Sequence, residues 1–559
     1  MAPLKDMFQR ALALHQAGRV AEAQLLYRQI LAIDGRHFDS LHLLGLAMVQ
    51  TGDAEGGVRL IRQALAVRPG VAEAHYNLGH ALLTLRRPAE ALESFGVALQ
   101  IKPGDAQCQF EAGNALKELG RNEEAIARYD EALGLDPRDA EAHNNRGIAL
   151  KDADRLAEAV ASYDTAISLR PRYAEAHSNR GNALKEMARF DEALAGHDQA
   201  IALKPDYAEA HYNRGNVLGD LKRYDEALAS YDTALQLRPD CAEATHNKAL
   251  LLLGRGRYGE GFTLYRSRWQ SPSFGGEHLQ SDVPAWTGTA GDAVLLWPEQ
   301  GIGDEIFYAS LMPLLADGGA RITLAADGRL HAIYRRSFPW LSITDKDALK
   351  APLAGRFTAQ APIGDLGAIL GLDAEKLAAR PPAFLRADPD RREALRRATS
   401  FPKSRLVVGL SWKSANHKFG AEKSLRLVDL APVLAIPGLS FVNLQYGDVA
   451  ADIAEAKAVL GVAVHQVEGL DIYNDIDGLM ALVDACDVVV TTSNITAHLA
   501  GAIGKRAVVL VPSGKGCLWY WQGGSNNLWY PSLTRAAQPR IGDWQPAITA
   551  AAAWVRDNT

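Results

Sequence analysis

Apolar and polar positions follow two different patterns along the 559 residues of this chain. Up to about residue 270, apolar residues recur at helical spacing in pairs of short amphipathic segments that repeat every 34 residues. Beyond that point, short apolar runs alternate with helical stretches, as is typical of an α/β arrangement. The pattern therefore predicts a helical repeat array followed by an α/β part.

The 34-residue repeat carries small residues at its helix crossings and a proline at its end. This spacing is that of tetratricopeptide repeats, whose stacked helix pairs form an extended concave surface for a partner. A degenerate eighth repeat, 242–275, is expected to act as a cap. The seven regular repeats are predicted at 4–37, 38–71, 72–105, 106–139, 140–173, 174–207 and 208–241.

Asparagine recurs at the sixth position of the repeat. It is a mediocre helix former, but its amide offers both hydrogen-bond donors and an acceptor. A row of such amides predicts a surface that binds the backbone of an extended acceptor peptide, largely whatever its sequence. The alternative is that the row only reflects duplication of one ancestral repeat. The row consists of Asn77, Asn145, Asn179, Asn213 and Asn247.

The second half predicts two Rossmann-like α/β lobes. The domains expected are an acceptor-binding repeat domain over 1–275, a Gly-, Ser- and Pro-rich linker over 276–290, and lobes over 291–398 and 399–559. Trp269 and Trp286 indicate that the joining segment is pinned rather than free. Apolar runs predict strands at 293–297, 321–326, 405–412, 440–446, 488–490 and 507–512.

Composition limits the function classes without naming one. The net charge of −6 predicts no nucleic-acid surface, and the four cysteines form neither a zinc motif nor a disulfide framework. No apolar stretch approaches the roughly 18 residues of a membrane span, and the N-terminus lacks a secretory signal pattern. We therefore expect a cytoplasmic protein with no membrane span.

Two loops carry candidate chemistry. Gly301, Gly303 and Asp304 lie between the first strand and its helix, where α/β proteins bind ligands. The loop is not a dinucleotide fingerprint, because Ile306 occupies the third glycine slot. Asp304 either caps the helix or takes part in the chemistry of the site, and the residues alone favour the cap.

The second loop follows the strand at 488–490. Hydroxyl residues precede a helix there, whose free N–H groups and dipole predict an anion site. His498 either faces that anion or packs in the core, and the hydroxyls favour phosphate binding. The residues singled out are Ser493, Asn494, Thr496, Ala497 and His498.

Four motifs in order resemble a known family. EQGIGDEIFYAS, EKSLRLVDL (422–430), NLQYGD (443–448) and TSNITAHLAGAIG (492–504) are similar to the motifs of GT-B glycosyltransferases of the heptosyltransferase-like superfamily. With the repeat array, the chain resembles bacterial protein O-glycosyltransferases, especially the flagellin glycosyltransferases of alphaproteobacteria. The asparagine row also resembles that of O-GlcNAc transferases. The resemblance does not extend to a heptose donor, because Ser493-Asn494-Ile495 replaces the family's Asp-Ser/Thr-Gly.

The resemblance implies a GT-B fold, metal-independent sugar transfer to Ser or Thr, and no cofactor. It implies flagellin as the acceptor and a nucleotide sugar, such as a CMP-nonulosonic acid, as the donor. Asp304 would be the general base. The implied donor-binding residues are Gly301, Gly303, Lys423, Gln445, Tyr446 and the residues Ser493, Asn494, Thr496, Ala497 and His498.

Several alternatives stay open. Asp475 and Asp477 form a D-x-D pair that is either a manganese site or a helix cap, with the cap favoured. The aromatic residues Trp519, Tyr520, Trp521 and Trp529 either stack on the donor or pack the lobes. The rival functions are a lipopolysaccharide-type saccharide transferase and a non-enzymatic repeat scaffold with a degenerate α/β half.

Overall fold

The computed structural model describes residues 2–272, 274–276, 278–398, 405–414, 420–522 and 527–559. The predicted lobe boundary at 398–399 therefore falls where the described residues break off. The chain forms two compact units, Met1–Arg238 and Pro239–Thr559. Within the described residues, no helix is long and apolar enough to cross a membrane.

The first unit is a helical solenoid that contains the seven predicted helix pairs. Odd-numbered helices are the first of each pair, and even-numbered helices are the second. The helices are α1 (Ala2–Gln16), α2 (Val20–Ile33), α3 (Phe38–Gln50), α4 (Ala54–Val67), α5 (Ala72–Thr84), α6 (Pro88–Ile101), α7 (Ala106–Glu118), α8 (Asn122–Leu135), α9 (Ala140–Asp152), α10 (Leu156–Leu169), α11 (Ala174–Glu186), α12 (Phe190–Leu203), α13 (Ala208–Asp220) and α14 (Tyr224–Leu237).

Glycine in the first helix makes room for an aromatic ring from the second. A Cβ atom on Gly79 would lie 2.5 Å from the ring of Phe95, and one on Gly147 would lie 2.6 Å from that of Tyr163. Successive first helices from α3 to α13 contact one another, whereas successive second helices are farther apart. The first helices therefore form the inner layer of the array.

The eighth helix pair belongs to the second unit. It consists of α15 (Ala242–Gly254) and α16 (Tyr258–Tyr265), followed by a 3-10 turn at Arg266–Gln270. The 34-residue period placed this pair in the repeat domain, which was predicted to end at 275. The unit boundary at Arg238 differs because the side chains of this pair are buried against the α/β part.

A four-stranded parallel sheet follows. Its order β3-β2-β1-β4 places Val294 opposite both Ile322 and Ala359. The segment before it is pinned as expected, since Trp286 is buried and its backbone N–H donates to the Gln360 carbonyl. The strands are β1 (Ala293–Trp297), β2 (Arg321–Ala326), β3 (Ser342–Asp345) and β4 (Ala359–Pro362), and the helices are α17 (Ile302–Ala309), α18 (His331–Ser337), α19 (Leu366–Ile369) and α20 (Ala374–Ala378).

The last part contains a six-stranded parallel sheet of order β10-β9-β8-β5-β6-β7. Its strands are β5 (Leu406–Ser411), β6 (Leu439–Asn443), β7 (Val464–His465), β8 (Val488–Thr492), β9 (Ala507–Val511) and β10 (Leu533–Ala537). Its helices are α21 (Pro389–Ala398), α22 (Gly420–Lys423), α23 (Ala431–Leu434), α24 (Ala450–Leu460), α25 (Ile476–Ala485), α26 (Ile495–Ala502) and α27 (Gln545–Asn558).

These elements confirm the predicted fold class, an α-helical repeat solenoid followed by α/β structure. All six predicted strands are present, with ends shifted by up to a few residues, and β3, β4, β7 and β10 were not predicted. Helix α21, assigned from sequence to the first lobe, packs against α25 of the second. The strand orders reverse between β1 and β4 and between β5 and β8, so ligand crevices are expected at the carboxyl ends of those strands.

The close contact of glycine with aromatic rings predicts opposite effects of alanine at two glycines of one repeat. We expect Gly79→Ala to destabilise the protein by about 1–3 kcal/mol, because the Phe95 ring or the helix must shift. Gly96→Ala on α6 meets no atom within 4 Å and should stabilise by up to about 1 kcal/mol. Chemical unfolding measures both, and equal shifts of the two midpoints would contradict this packing.

Candidate functional site

Asp304 lies in the first turn of α17, directly after β1. Gly301 is the N-cap residue, its carbonyl accepts from the Asp304 backbone N–H at 3.0 Å, and no side chain caps the helix. The Asp304 carboxylate instead accepts a hydrogen bond from the Tyr520 hydroxyl, at 3.3 Å to Oδ1. The cap role that the residues alone favoured is therefore wrong for the described structure.

The surroundings of Asp304 change its acidity. The residue is only partly exposed, and burial raises its pKa to about 6. The hydrogen bond from Tyr520 and the charge of Lys423 act in the opposite direction, and Glu299 raises the pKa further. A carboxyl with this pKa is mostly ionised at neutral pH yet remains a competent proton acceptor, as a general base requires.

His498 faces the same loop from the other sheet. It lies on α26, and a Cβ atom on Gly303 would come within 3.4 Å of its Nε2 atom. Its Nδ1 atom lies 2.8 Å from the hydroxyl of Tyr530. Burial lowers the pKa of His498 to about 3, and the charge of Lys423 lowers it as well. The imidazole is therefore neutral near pH 7, with Nε2 toward Gly303.

Polar groups near the start of α26 have no hydrogen-bond partner. The hydroxyls of Ser493 and Thr496 are buried and make no hydrogen bond to any described residue. Lys423 is 3% exposed and forms no ion pair within the described part of the chain. Burial lowers its pKa, which the charge of Asp304 partly offsets. The start of α26 thus offers buried hydroxyls, and Lys423 adds an unpaired cation whose charge acts on Asp304 and His498; such groups can receive an anion.

Other implied donor-binding side chains are used within the protein. The Gln445 Oε1 atom accepts from the backbone N–H groups of Trp412 and Lys413, at 2.9 and 2.7 Å. Asn494 caps α26 by accepting from the Thr496 N–H at 2.9 Å, and its amide donates to Ser411 Oγ at 2.8 Å. These two amides fix the loops after β5 and β8. Direct donor contact through them stays a prediction.

The remaining implied residues occupy different positions. Ala497 is fully buried in α26, and Gly301 is exposed at the start of α17. Tyr446 follows β6, and its ring centroid lies 6.1 Å from that of Tyr473, which is 55% exposed. The Arg329 side chain reaches this pair by donating to the Tyr473 carbonyl at 3.3 Å. An aromatic pair therefore lies at the carboxyl ends of the strands of the six-stranded sheet, as the α26 loop does.

The carboxyl ends of β1 and β4 are held together by a buried arginine. Arg268 has no exposed surface; it donates to both Glu299 oxygens at 2.7 Å and to Asp365 Oδ1 at 2.6 Å. Burial alone would lower the pKa of Arg268, but the two carboxylates raise it above its usual value. Glu299 also accepts the Gly364 N–H at 2.6 Å, so the network fixes the loop that leads to Asp304.

The structure assigns the D-x-D pair to ion pairs with arginine. Asp475 caps α25 by accepting the Gly478 N–H at 2.8 Å and pairs with Arg391. Asp477 pairs with Arg336. Among the described residues, no group of three or more His, Cys, Asp or Glu side chains is arranged to hold a metal ion.

The aromatic residues near the C-terminus pack as a buried cluster. Phe307 of α17 stacks on Tyr520 at 4.2 Å and lies 4.4 Å from Trp529. Trp521 stacks on Tyr530 at 5.7 Å. These rings favour the packing interpretation over exposed stacking on a ligand. The hydrogen bonds of Tyr520 and Tyr530 were missed from sequence, where the only signal was the density of aromatics over 519–530.

The asparagine row forms hydrogen bonds between repeats. Asn145 donates to Asn114, and Asn179 donates to Asn144, each at 3.0 Å. Among the described residues, the Asn179 carbonyl and the Asn213 amide make no side-chain hydrogen bond. The row thus has both engaged and unused polar groups. Asn77 bonds to His42 at 2.9 Å, and Asn247 lies on α15 in the second unit.

Comparison with family models confirms the predicted repeats. A model described as TPR repeat matches residues 113–154, 149–187 and 189–222, and models described as tetratricopeptide repeat match 42–106 and 208–241. The protein FlbA of Caulobacter vibrioides is 33% identical over 316 residues, which cover 52% of this chain and 51% of FlbA. The chain thus spans about half the length of this relative.

Three solved structures are similar to part of the chain. MamA is 22% identical over 30% of this chain and 97% of its own, with a TM-score of 0.29. YrrB, described as a TPR protein with an unusual peptide-binding site, is 23% identical over 34% and 97%, with a TM-score of 0.29. PilF of Pseudomonas aeruginosa is 23% identical over 39% and 99%, with a TM-score of 0.34.

The burial of the eighth helix pair predicts where the chain can be cut. Phe262 is 1% exposed and meets Trp519 and Trp529 edge-on at 5.9 and 6.3 Å. A fragment 239–559 should fold, whereas 276–559 loses Phe262 and leaves Glu299 and Asp365 buried without Arg268. An uncompensated buried charge costs about 3–5 kcal/mol.

Thermal unfolding and near-ultraviolet circular dichroism of the two fragments measure this difference, with the full chain as reference. We expect a cooperative transition for 239–559 and a much lower or absent one for 276–559. Equal melting temperatures would show that α15, α16 and Arg268 contribute nothing to the α/β structure.

Proposed function

We propose that this protein is a GT-B-type O-glycosyltransferase that moves a sugar from a nucleotide donor to a Ser or Thr hydroxyl of an acceptor protein. The single observation that carries the proposal is the convergence of Asp304 with the buried anion-receptive groups around α26. A proton acceptor of raised pKa and a buried cation lie together, although their loops are far apart in the chain.

The α26 loop is the proposed binding site for the donor phosphate. Its helix N-terminus supplies the positive end of a dipole, with the Thr496 N–H already bonded to the Asn494 side chain. The Ser493 and Thr496 hydroxyls lack partners among the described residues, and Lys423 is a buried cation. In the proposed reaction these groups stabilise the charge that develops on the departing phosphate, and none of them needs to reorganise.

Tyr446 and Tyr473 are the proposed platform for the donor base. Tyr446 follows β6, which is separated from β8 by β5 alone, and the ring of Tyr473, which follows β7, lies against it. Two strand spacings correspond to roughly 10 Å, comparable with the reach of a nucleotide from phosphate to base. An aromatic ring that is 55% exposed offers a face on which a base can stack.

The repeat array is the proposed acceptor-binding element. Its inner layer presents the asparagine row, part of which keeps polar groups unused by the protein itself. Such groups can bond the backbone of an extended segment. By the family resemblance, the acceptor that we propose is flagellin, and the donor is a CMP-nonulosonic acid or a similar nucleotide sugar.

Co-expression with flagellin followed by intact-mass spectrometry tests the proposed function. A mass increase on flagellin that requires the protein supports it, and the size of the increase identifies the sugar. An unmodified flagellin in the presence of the donor would favour a scaffold over an enzyme.

Asp304 should set both the rate and its pH dependence. Asp304→Asn removes the proton acceptor, so transfer should fall by about two to four orders of magnitude. In the parent protein, kcat/KM should rise with pH through about 6, because the carboxyl must be ionised to act as a base. Initial-rate measurements across pH check both expectations.

The same substitution should not reduce stability at pH 8. The pKa of Asp304 is raised in the folded state, so its stabilising contribution is present at low pH and is lost as the pH rises through about 6. Asparagine does not titrate, so the variant does not lose stability in this way as the pH rises. Asp543→Asn, at an exposed position, is the matched control and should leave rate and stability unchanged. Normal turnover of Asp304→Asn would remove Asp304 from the mechanism.

The asparagine row should matter more for acceptor binding than for folding. Changing Asn145, Asn179 and Asn213 to Ala together loses inter-repeat hydrogen bonds worth about 0.5–1.5 kcal/mol each, partly offset by the better helix propensity of alanine. We expect a small loss of stability and a large loss of flagellin affinity by calorimetry. Thr165→Ala with Thr233→Ala, on the outer helices, is the control. Parent-like affinity would exclude the row from recognition.

A further inference from the structure

We propose that Tyr520 is a positioning residue for Asp304, holding its Oδ1 atom so that Oδ2 is the atom that takes the acceptor proton. This inference rests on the proposed function, in which Asp304 is the general base. The contact joins the two α/β lobes, since Tyr520 follows β9 and Asp304 follows β1. The Tyr520 hydroxyl donates to Asp304 Oδ1 at 3.3 Å.

Aromatic packing fixes the place of this hydroxyl independently of the hydrogen bond. The Tyr520 ring is 5% exposed and stacks on Phe307 at 4.2 Å with an interplanar angle of 23°. Trp519 and Trp521 meet the same ring edge-on at 5.4 and 5.6 Å. Because these contacts hold the ring, a phenylalanine in its place should keep the packing and lose only the hydroxyl.

The phenol remains a donor over the working pH range. Burial raises the pKa of Tyr520 well above its usual value, and the charge of Asp304 raises it further. The bond therefore stabilises the ionised carboxylate and opposes the effect of burial on Asp304. The other titratable groups that act on Asp304 or sense its charge are Glu299, Glu305, Lys423, Tyr265 and Tyr530.

In the proposed transfer, the acceptor hydroxyl gives its proton to Oδ2 of Asp304, and its oxygen bonds to the anomeric carbon of the donor. The bond between that carbon and the phosphate oxygen breaks, and its electron pair leaves with the phosphate. Tyr520 keeps its proton throughout. Its role is to prevent rotation of the carboxylate and to keep the carboxylate ionised.

The test is the pH profile of Tyr520→Phe in the full chain. We expect the acidic limb of kcat/KM to move up by about 0.5–1 pH unit. Without the hydrogen bond, less opposes the rise that burial causes in the pKa of Asp304. The KM for the donor should change little. Tyr334→Phe is the matched control, since Tyr334 is fully buried in the same unit and its hydroxyl has no partner among the described residues. Its profile should equal that of the parent.

A second measurement does not depend on activity. Carbon-13 NMR of protein labelled at the aspartate carboxyls follows the titration of Asp304, whose resonance is the one that Asp304→Asn removes. Its midpoint should rise in Tyr520→Phe and stay unchanged in Tyr334→Phe. A shifted midpoint without sugar transfer would support the Tyr520 contact and sink the proposed function. If Tyr520→Phe transfers sugar with the acidic limb of its kcat/KM profile and the midpoint of the Asp304 titration both unchanged, the positioning role is overturned.

Discussion

The geometry of the candidate site depends on a guanidinium buried at the switch point of the first sheet. Arg268 fills the crevice between the carboxyl ends of β1 and β4, where an α/β sheet would otherwise receive a ligand. Three of its N–H groups are matched by Glu299 and Asp365, which is the condition under which a buried ion pair is tolerated. Since Glu299 is two residues before Gly301, this network fixes where α17 begins and hence where Asp304 lies.

The same network explains why the last helix pair differs from those before it. The regular repeats place their aromatic ring against a glycine of the same pair, as Phe95 does against Gly79. In the eighth pair, Tyr265 takes the position of Phe95 and Ala249 that of the glycine, while a second ring, Phe262, packs on Gly367 of the α/β part, where a Cβ atom would lie 2.3 Å from its ring. The repeat pattern therefore continues in sequence while its packing partner changes.

Periodic features of the fold could be predicted from the sequence, and features that depend on distant contacts could not. The helix pairs and the long apolar strands such as β1 and β9 follow from local pattern. Strand β7 has two residues and β3 is only partly buried, so neither carries a clear apolar run. The second compact unit begins at Pro239, before the predicted domain end at 275, because the period continues in the sequence whereas the burial of Phe262 depends on contacts with the α/β part.

The candidate site shows the same division. Sequence identified Asp304, Lys423 and His498, which the structure brings together, because glycine turns and hydroxyl-rich strand ends are local signals. It gave no means of separating a cap from a base at Asp304, since the deciding partner Tyr520 is 216 residues away. Gln445 and Asn494 were grouped with the donor-binding residues for a similar reason. The sequence does not distinguish an amide that binds a ligand from one that, as here, holds together the loops after β5 and β8.

The asparagine row joins stability and proposed recognition in one set of residues. An amide has two N–H donors and a carbonyl with two lone pairs, so one inter-repeat bond does not exhaust it. In Asn179 one N–H bonds to Asn144 of the preceding repeat, while its carbonyl has no partner in the described chain. A peptide bonded to that carbonyl would contact a side chain whose orientation is already fixed by the neighbouring repeat. Less side-chain entropy is then lost on binding, because the array has ordered the amide in advance.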